Sequence, residues 1–322
     1  MAQLTSIELC AGAGGQALGL EHAGFGHEAL VEVDPWCRQT LTLNRPEWNV
    51  LDGSQADLTT FDAKPFEGVD VVAGGVPCPP FSKAGKQLGA NDERDLFPDA
   101  LRVVDQVRPR AVMLENVRGF LDAVFADYRK SLKEQLKSLG YGTVGWRLLN
   151  ASDFGVPQLR PRVVIVAVRD DWSDGFDWPM PGETDAPTVG QALGGLMAEG
   201  GWSGAAAWAA QADEIAPTIV GGSKKHGGPD LGPTRARKAW ATLGVNGSSL
   251  ANEAPGPDHE GMPRLTVQMV ARLQGFPDDW QFAGRKTPAY RQVGNAFPPP
   301  VAAAVAGRIR TALQKRRLYA VA

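Results

Sequence analysis

Apolar residues in the first half of the chain come in short runs, separated by helix-like or polar stretches. Ser6 to Cys10 is strand-like and ends in a glycine cluster, after which Gln16 to Ala23 reads as a helix. Glu28 to Val33 reads as the next strand and ends at Asp34-Pro35. Val69-Asp70-Val71-Val72-Ala73-Gly74, Ala111 to Leu114 and Val163 to Val168 read as further buried strands. Tyr128, Leu132, Leu136 and Leu139 recur at helical spacing and mark an amphipathic helix closed by Gly140. This βαβα alternation predicts an α/β protein with a mostly parallel, doubly wound sheet. Around Trp172 to Gly182 glycine, proline, alanine and tryptophan become common and the periodicity fades, which predicts a domain boundary. After Pro298-Pro299-Pro300, a helical stripe of Val301, Val305, Ile309 and Leu313 is expected to pack back on the large domain. The expected organisation is a large domain over 1–178, a small one over 179–263, and a hinge with C-terminal return over 264–322.

The chain has 322 residues, 43% of them hydrophobic, which fits a globular protein with a sizeable core. No apolar run approaches the ~20 residues that cross a bilayer, and the N-terminus lacks the basic and apolar regions of a signal peptide. The 3 cysteines are odd in number, which argues against a disulfide framework and for a reducing compartment, read here as the cytoplasm. They lack zinc-ligand spacing and the 4 histidines are scattered, so no metal is expected. A net charge of −3 means that any polyanion must be held by local positive charge.

The segment Gly75-Val76-Pro77-Cys78-Pro79-Pro80-Phe81-Ser82 places a cysteine among prolines just after a buried strand. Prolines fix φ and remove backbone donors, so the thiol of Cys78 is presented on a rigid turn at a strand end. A half-buried turn cysteine is the plain alternative, and the rest of the chain decides between the two. Glu115-Asn116-Val117 follows one strand-like run, and Gln158, Arg160 and Arg162, spaced by two, precede another. Near the start lies Glu8-Leu9-Cys10-Ala11-Gly12-Ala13-Gly14-Gly15, and near the end Tyr290-Arg291-Gln292-Val293-Gly294-Asn295-Ala296. A strand followed by a glycine turn lets a ligand approach the backbone beside a helix N-terminus. Two carboxylates sharpen that reading: Glu32, ending the second strand, suits ribose hydroxyls, and Asp57, ending the next, suits an exocyclic amine.

In this order the series resembles the motifs of the DNA cytosine-C5 methyltransferases, from about Ile7 to Val305 apart from roughly 180–262. The resemblance implies a Rossmann-like class I fold that uses S-adenosylmethionine, with a small target-recognition domain. It implies cofactor contacts at Cys10, Ala11, Gly12, Gly14, Gly15, Glu32, Val33, Asp57, Leu58, Asn295 and Ala296. It also implies Cys78 as nucleophile on cytosine C6, Glu115 at N3 and the exocyclic amine, Arg162 at O2, and Arg160 orienting the base and Glu115. Asn116 and Val117 would shape the pocket. The family usually carries an aromatic residue at the position of Cys10, where it stacks on adenine; here either another side chain covers the ring or the cofactor binds more weakly. The polar segment from Ser82 to Phe97 suits a loop that closes over a flipped base, with Ser82, Lys83, Lys86 and Arg94 meeting DNA. Thr218-Ile219 looks like a short pair common in the recognition domains, and Lys224, Lys225, Arg235, Arg237 and Lys238 supply local positive charge for double-stranded DNA. The expected protein acts as a monomer, with a cognate restriction endonuclease on the same site as a candidate partner. Two other classes share these residues: a catalytically dead homologue that only binds DNA or a partner, and the related tRNA methyltransferase.

Overall fold

The computed structural model describes residues 3–77, 95–222 and 228–319. Cys78, Ser82, Lys83, Lys86, Arg94, Lys224 and Lys225 lie outside the described residues. Six strands, β1 (Leu4–Leu9), β2 (Phe25–Val31), β3 (Val71–Gly74), β4 (Ala111–Val117), β5 (Thr143–Asn150) and β6 (Pro161–Val168), form one sheet in the order β2-β1-β3-β4-β6-β5. β1 pairs in parallel with β2 and β3, and β3 with β4, whereas β6 runs antiparallel to β4. The helices are α1 (Gly15–His22), α2 (Pro35–Asn44), α3 (Phe97–Val107), α4 (Ala126–Ser138), α5 (Val189–Ala198), α6 (Ala205–Gln211), α7 (Thr234–Thr242), α8 (Val267–Leu273), α9 (Lys286–Asn295) and α10 (Pro299–Tyr319). This is the α/β architecture with a mostly parallel sheet that the alternating pattern predicts.

The central strands are buried over most of their length, as all of β3 and Val163 to Val168 of β6 show. Burial on both faces is why they read in sequence as continuous aliphatic runs rather than alternating ones. Ile7, Leu9, Val72, Val112, Leu114, Val163 and Ile165 share one core with Val103, Val104 and Val107 of α3 and Leu132 and Leu136 of α4. Each fully buried aliphatic side chain contributes roughly 1.5–3 kcal/mol, so this core fixes the strand ends that carry the candidate site.

Contacts divide the chain into two units. The first comprises 1–149, 161–180 and 301–322; the second comprises 150–160 and 181–300. The segment expected as one return, 264–322, is therefore divided between them, and residues 150–160 belong with the second unit. Two local expectations change. Glu115 and Asn116 lie within β4 rather than after it. Asp57 does not end a strand: it caps the short 3-10 turn Gly53–Ala56, and only Val50 upstream bridges to Leu30 of β2. The polar residues of that stretch offer no second face to bury, so no strand forms. Among the described residues, no helix is long and apolar enough to cross a membrane, and no group of three His, Cys, Asp or Glu side chains could hold a metal ion.

Candidate active site

Because β1, β2, β3 and β4 are parallel, their carboxyl ends share one edge of the first unit's sheet, where open α/β sheets place their chemistry. β6, being antiparallel, begins at that same edge. At one side of the edge, the chain leaving β1 turns through left-handed backbone at Cys10, Gly12 and Gly14 (φ 53°, 56° and 86°) into α1. Nothing lies within 4 Å of where a Cβ on Gly12 would sit, so this turn opens onto space. The buried carboxylate of Glu32, just past β2, accepts from the Gly12 and Asp34 N–H groups at 2.7 Å each. It thereby ties the two strand ends together. Asp34 in turn caps α2, accepting from the Trp36 N–H at 2.9 Å. Asp57 accepts from the Thr59 N–H and hydroxyl through one oxygen, above the buried Leu58.

Cys10 packs against the apolar core. Burial, and then the carboxylates of Glu32, Glu8 and Asp57, push its thiol well up, so it is neither a nucleophile nor a stacking surface. Val33 and Trp36 are large apolar side chains left 62% and 44% exposed at the β2–α2 turn. Trp36 escapes a motif reading because the sequence shows an aromatic residue near Glu32, but not that its ring is left in solvent.

On the other side of the edge, the Arg162 Nε donates to Glu115 Oε1 at 2.8 Å. The register pairs Glu115 with Val164 and Val117 with Arg162, so the two side chains are diagonal neighbours on one face. Both are nearly enclosed, 13% and 14% exposed. A buried ion pair of this kind adds little net stability, since desolvation offsets the attraction, so stability alone does not account for it. Glu115 also reaches the exit of β3: a Cβ on Gly75 would lie 3.4 Å from its Oε2. The buried Asn116 donates from Nδ2 to the Val76 carbonyl at 3.2 Å, fixing that exit against β4. Gly75 is three residues before Cys78. Val117 is exposed beside them.

Arg160, two residues before Arg162, lies in the second unit and is fully buried. Its guanidinium donates to three main-chain carbonyls: Ile219 at 2.6 Å, Gly294 at 2.8 Å and Ala296 at 2.9 Å. Gln158 completes this knot. It accepts from the Ile219 N–H at 2.9 Å and donates to the Leu273 carbonyl and to Gln274, which itself donates to the Ala296 carbonyl. The Thr218 hydroxyl donates to the Leu159 carbonyl. Asn295, at the end of α9, is exposed and donates to the Gly222 carbonyl at 3.4 Å. Arg235, Arg237 and Lys238 are exposed on α7, which the buried Trp240 anchors, and among the described residues no carboxylate pairs with them.

Comparison with known proteins places the chain in a family. The chain is 56% identical over 316 residues to the Type II methyltransferase M.NaeI of Lentzea aerocolonigenes, covering 97% of this chain and 76% of that one. It is 53% identical over 317 residues to the Type II methyltransferase M.NgoMIV of Neisseria gonorrhoeae, covering 97% and 99%. In fold it is similar to the Dnmt2 methyltransferase of S. pombe, with a TM-score of 0.64 at 20% sequence identity over 98% of this chain and 99% of that one. The sequence model of the C-5 cytosine-specific DNA methylases matches residues 4–311, and the chain belongs to that family.

Proposed function

We propose that this protein methylates C5 of a cytosine flipped out of a specific duplex DNA sequence, using S-adenosylmethionine and a covalent bond between Cys78 and C6. The observation that carries this reading is the Glu115–Arg162 pair at the sheet edge, in reach of the β3 exit that leads to Cys78. Cytosine C5 is a poor nucleophile. Addition of the Cys78 thiolate to C6 forms a C–S bond and moves electron density towards C5 and N3. Glu115 holds a proton at N3, and Arg162, already oriented by Glu115, donates to O2; both act where charge develops. Once C5 carries the methyl group, loss of its proton and cleavage of the C6–S bond return the thiolate. A base inside a duplex is out of reach, so flipping costs a few kcal/mol that DNA contacts must offset.

The pocket at β1 and β2 fits the cofactor. The glycine turn leaves open space, Glu32 is held ready for the ribose, Asp57 keeps one oxygen for the adenine amine, and the exposed Trp36 offers the apolar face that Cys10 lacks. The cofactor would supply the methyl group as an electrophile. Asp57→Ala is expected to weaken S-adenosylhomocysteine binding by about 10- to 100-fold, the worth of a charge-assisted hydrogen bond of ~1.5–3 kcal/mol. Trp36→Ala should weaken it as well. Calorimetry that finds both variants unchanged would remove these residues from the pocket.

Asn295 and Ala296 would serve the methionine end of the cofactor, and Thr218 and the α7 cations would meet DNA. The Type II designation of both relatives supports a place beside a restriction endonuclease of the same specificity. The test is transfer of a labelled methyl group from S-adenosylmethionine to duplex DNA and to tRNA. Label should appear as 5-methylcytosine in DNA only. Label in tRNA alone would favour the RNA reading, and label in neither would favour a binding-only protein.

A further inference from the structure

The second unit contains a close backbone approach, beside the Asn295 proposed for the cofactor, that the catalytic pair does not explain. Gly221 lies against Gly294 at the end of α9 with no side chain between the two backbones. A Cβ on Gly294 would sit 2.4 Å from both the Cα and the N of Gly221. A Cβ on Gly221 would sit 2.6 Å from the Arg291 carbonyl oxygen and 2.8 Å from Asn295 Oδ1. Only glycine at both positions lets the two backbones meet. The fully buried Tyr290, one turn earlier on α9, donates its hydroxyl to the Val220 carbonyl at 3.1 Å. Burial pushes that phenol well up, so it stays a donor across the working pH range. Arg160 holds the same two segments from their other ends, at Ile219 and at Gly294 and Ala296. The segment is therefore fixed at Ile219, Val220, Gly221 and Gly222, while the side chains of Thr218 and Val220 remain partly or largely open to solvent.

We infer that α9 is the brace that sets where the Thr218–Gly222 segment meets duplex DNA, with Tyr290 and the Gly221–Gly294 contact as positioning residues. This rests on the reading that the segment contacts DNA, through Thr218. The Thr218 hydroxyl donates to the Leu159 carbonyl and keeps a lone pair that can accept from DNA, which requires that the segment beyond it be held within hydrogen-bond distance. The brace supplies that fixity without touching DNA.

The test is steady-state methyl transfer by full-length Tyr290→Phe, Gly221→Ala and Thr218→Ala proteins. The readouts are KM for duplex DNA, kcat, S-adenosylhomocysteine affinity and Tm. Tyr290→Phe keeps the ring and removes one bond; it should raise KM for DNA about threefold to tenfold and leave kcat and cofactor affinity within twofold. Gly221→Ala should raise KM further. Tyr290→Phe with a lowered Tm but an unchanged KM would show a merely structural role and overturn the inference. If Thr218→Ala raises KM and Tyr290→Phe does not, the DNA reading stands and the brace falls. If Tyr290→Phe raises KM and Thr218→Ala does not, the brace stands and another atom of the segment makes the contact. If neither moves KM, both fall.

Discussion

Cys78→Ser is expected to reduce methyl transfer by at least about 10⁴-fold, on the scale of losing a covalent nucleophile, while DNA binding and Tm stay near wild type. A serine hydroxyl is almost wholly protonated at neutral pH, and the carboxylate nearest the β3 exit among the described residues, Glu115, is already engaged by Arg162. A thiol needs far less help. The structure also removes a competing nucleophile, since Cys10, pushed up by burial and by surrounding carboxylates, stays a neutral thiol. DNA carrying 5-fluorocytosine at the target should trap the wild-type protein as a covalent adduct, because C5 then has no proton to lose and the C–S bond cannot break. Peptide mapping should place the adduct on Cys78. Near-normal activity of the serine variant, or an adduct on another residue, would end the covalent mechanism proposed here.

Glu115→Gln is the second large effect: kcat should fall by about 10²- to 10⁴-fold, the usual range for a lost acid–base group. Affinity for DNA should hardly change, because phosphate contacts elsewhere supply most of it. Glutamine keeps the size of the side chain and an oxygen that can accept from the Arg162 Nε, so the fold should hold. Glu115→Ala is the informative contrast. It leaves the Arg162 guanidinium, 14% exposed, without its carboxylate, and should lower stability as well as activity. Single-turnover methylation with saturating DNA separates the two. A glutamine variant within a few fold of wild type would mean that Glu115 only orients Arg162.

What could be read from sequence follows from where each interaction closes. The buried strands are legible because their aliphatic runs are local, and the end of β1 is legible because its glycines are contiguous. Asp57 reads in sequence as the end of a strand but follows a 3-10 turn, since a single bridge at Val50 looks in sequence like the start of a strand. Arg160 and Arg162 share a spacing of two, which says only that both point to one side of an extended chain. Their partners diverge: Arg162 meets Glu115 across one sheet register, whereas Arg160 reaches Ile219, Gly294 and Ala296, residues 59, 134 and 136 positions away. No local pattern encodes such distances. The roles of Tyr290 and Trp36 are not legible for opposite reasons: the motif residue Tyr290 hides a hydrogen bond at its tip, and Trp36 is an aromatic residue left in solvent.

Arg160 donates to three main-chain carbonyls. Every amino acid offers that group, so the knot places no demand on which side chains occupy 219, 294 or 296 beyond their fit. If this unit selects the target sequence, as proposed, its exposed side chains can change while the attachment persists. The exceptions are Gly221 and Gly294, where any added carbon collides with backbone. On that reading, new target sites arise by altering exposed side chains, while Arg160, Gln158, Gln274 and the two glycines stay as the fixed points of the divergence.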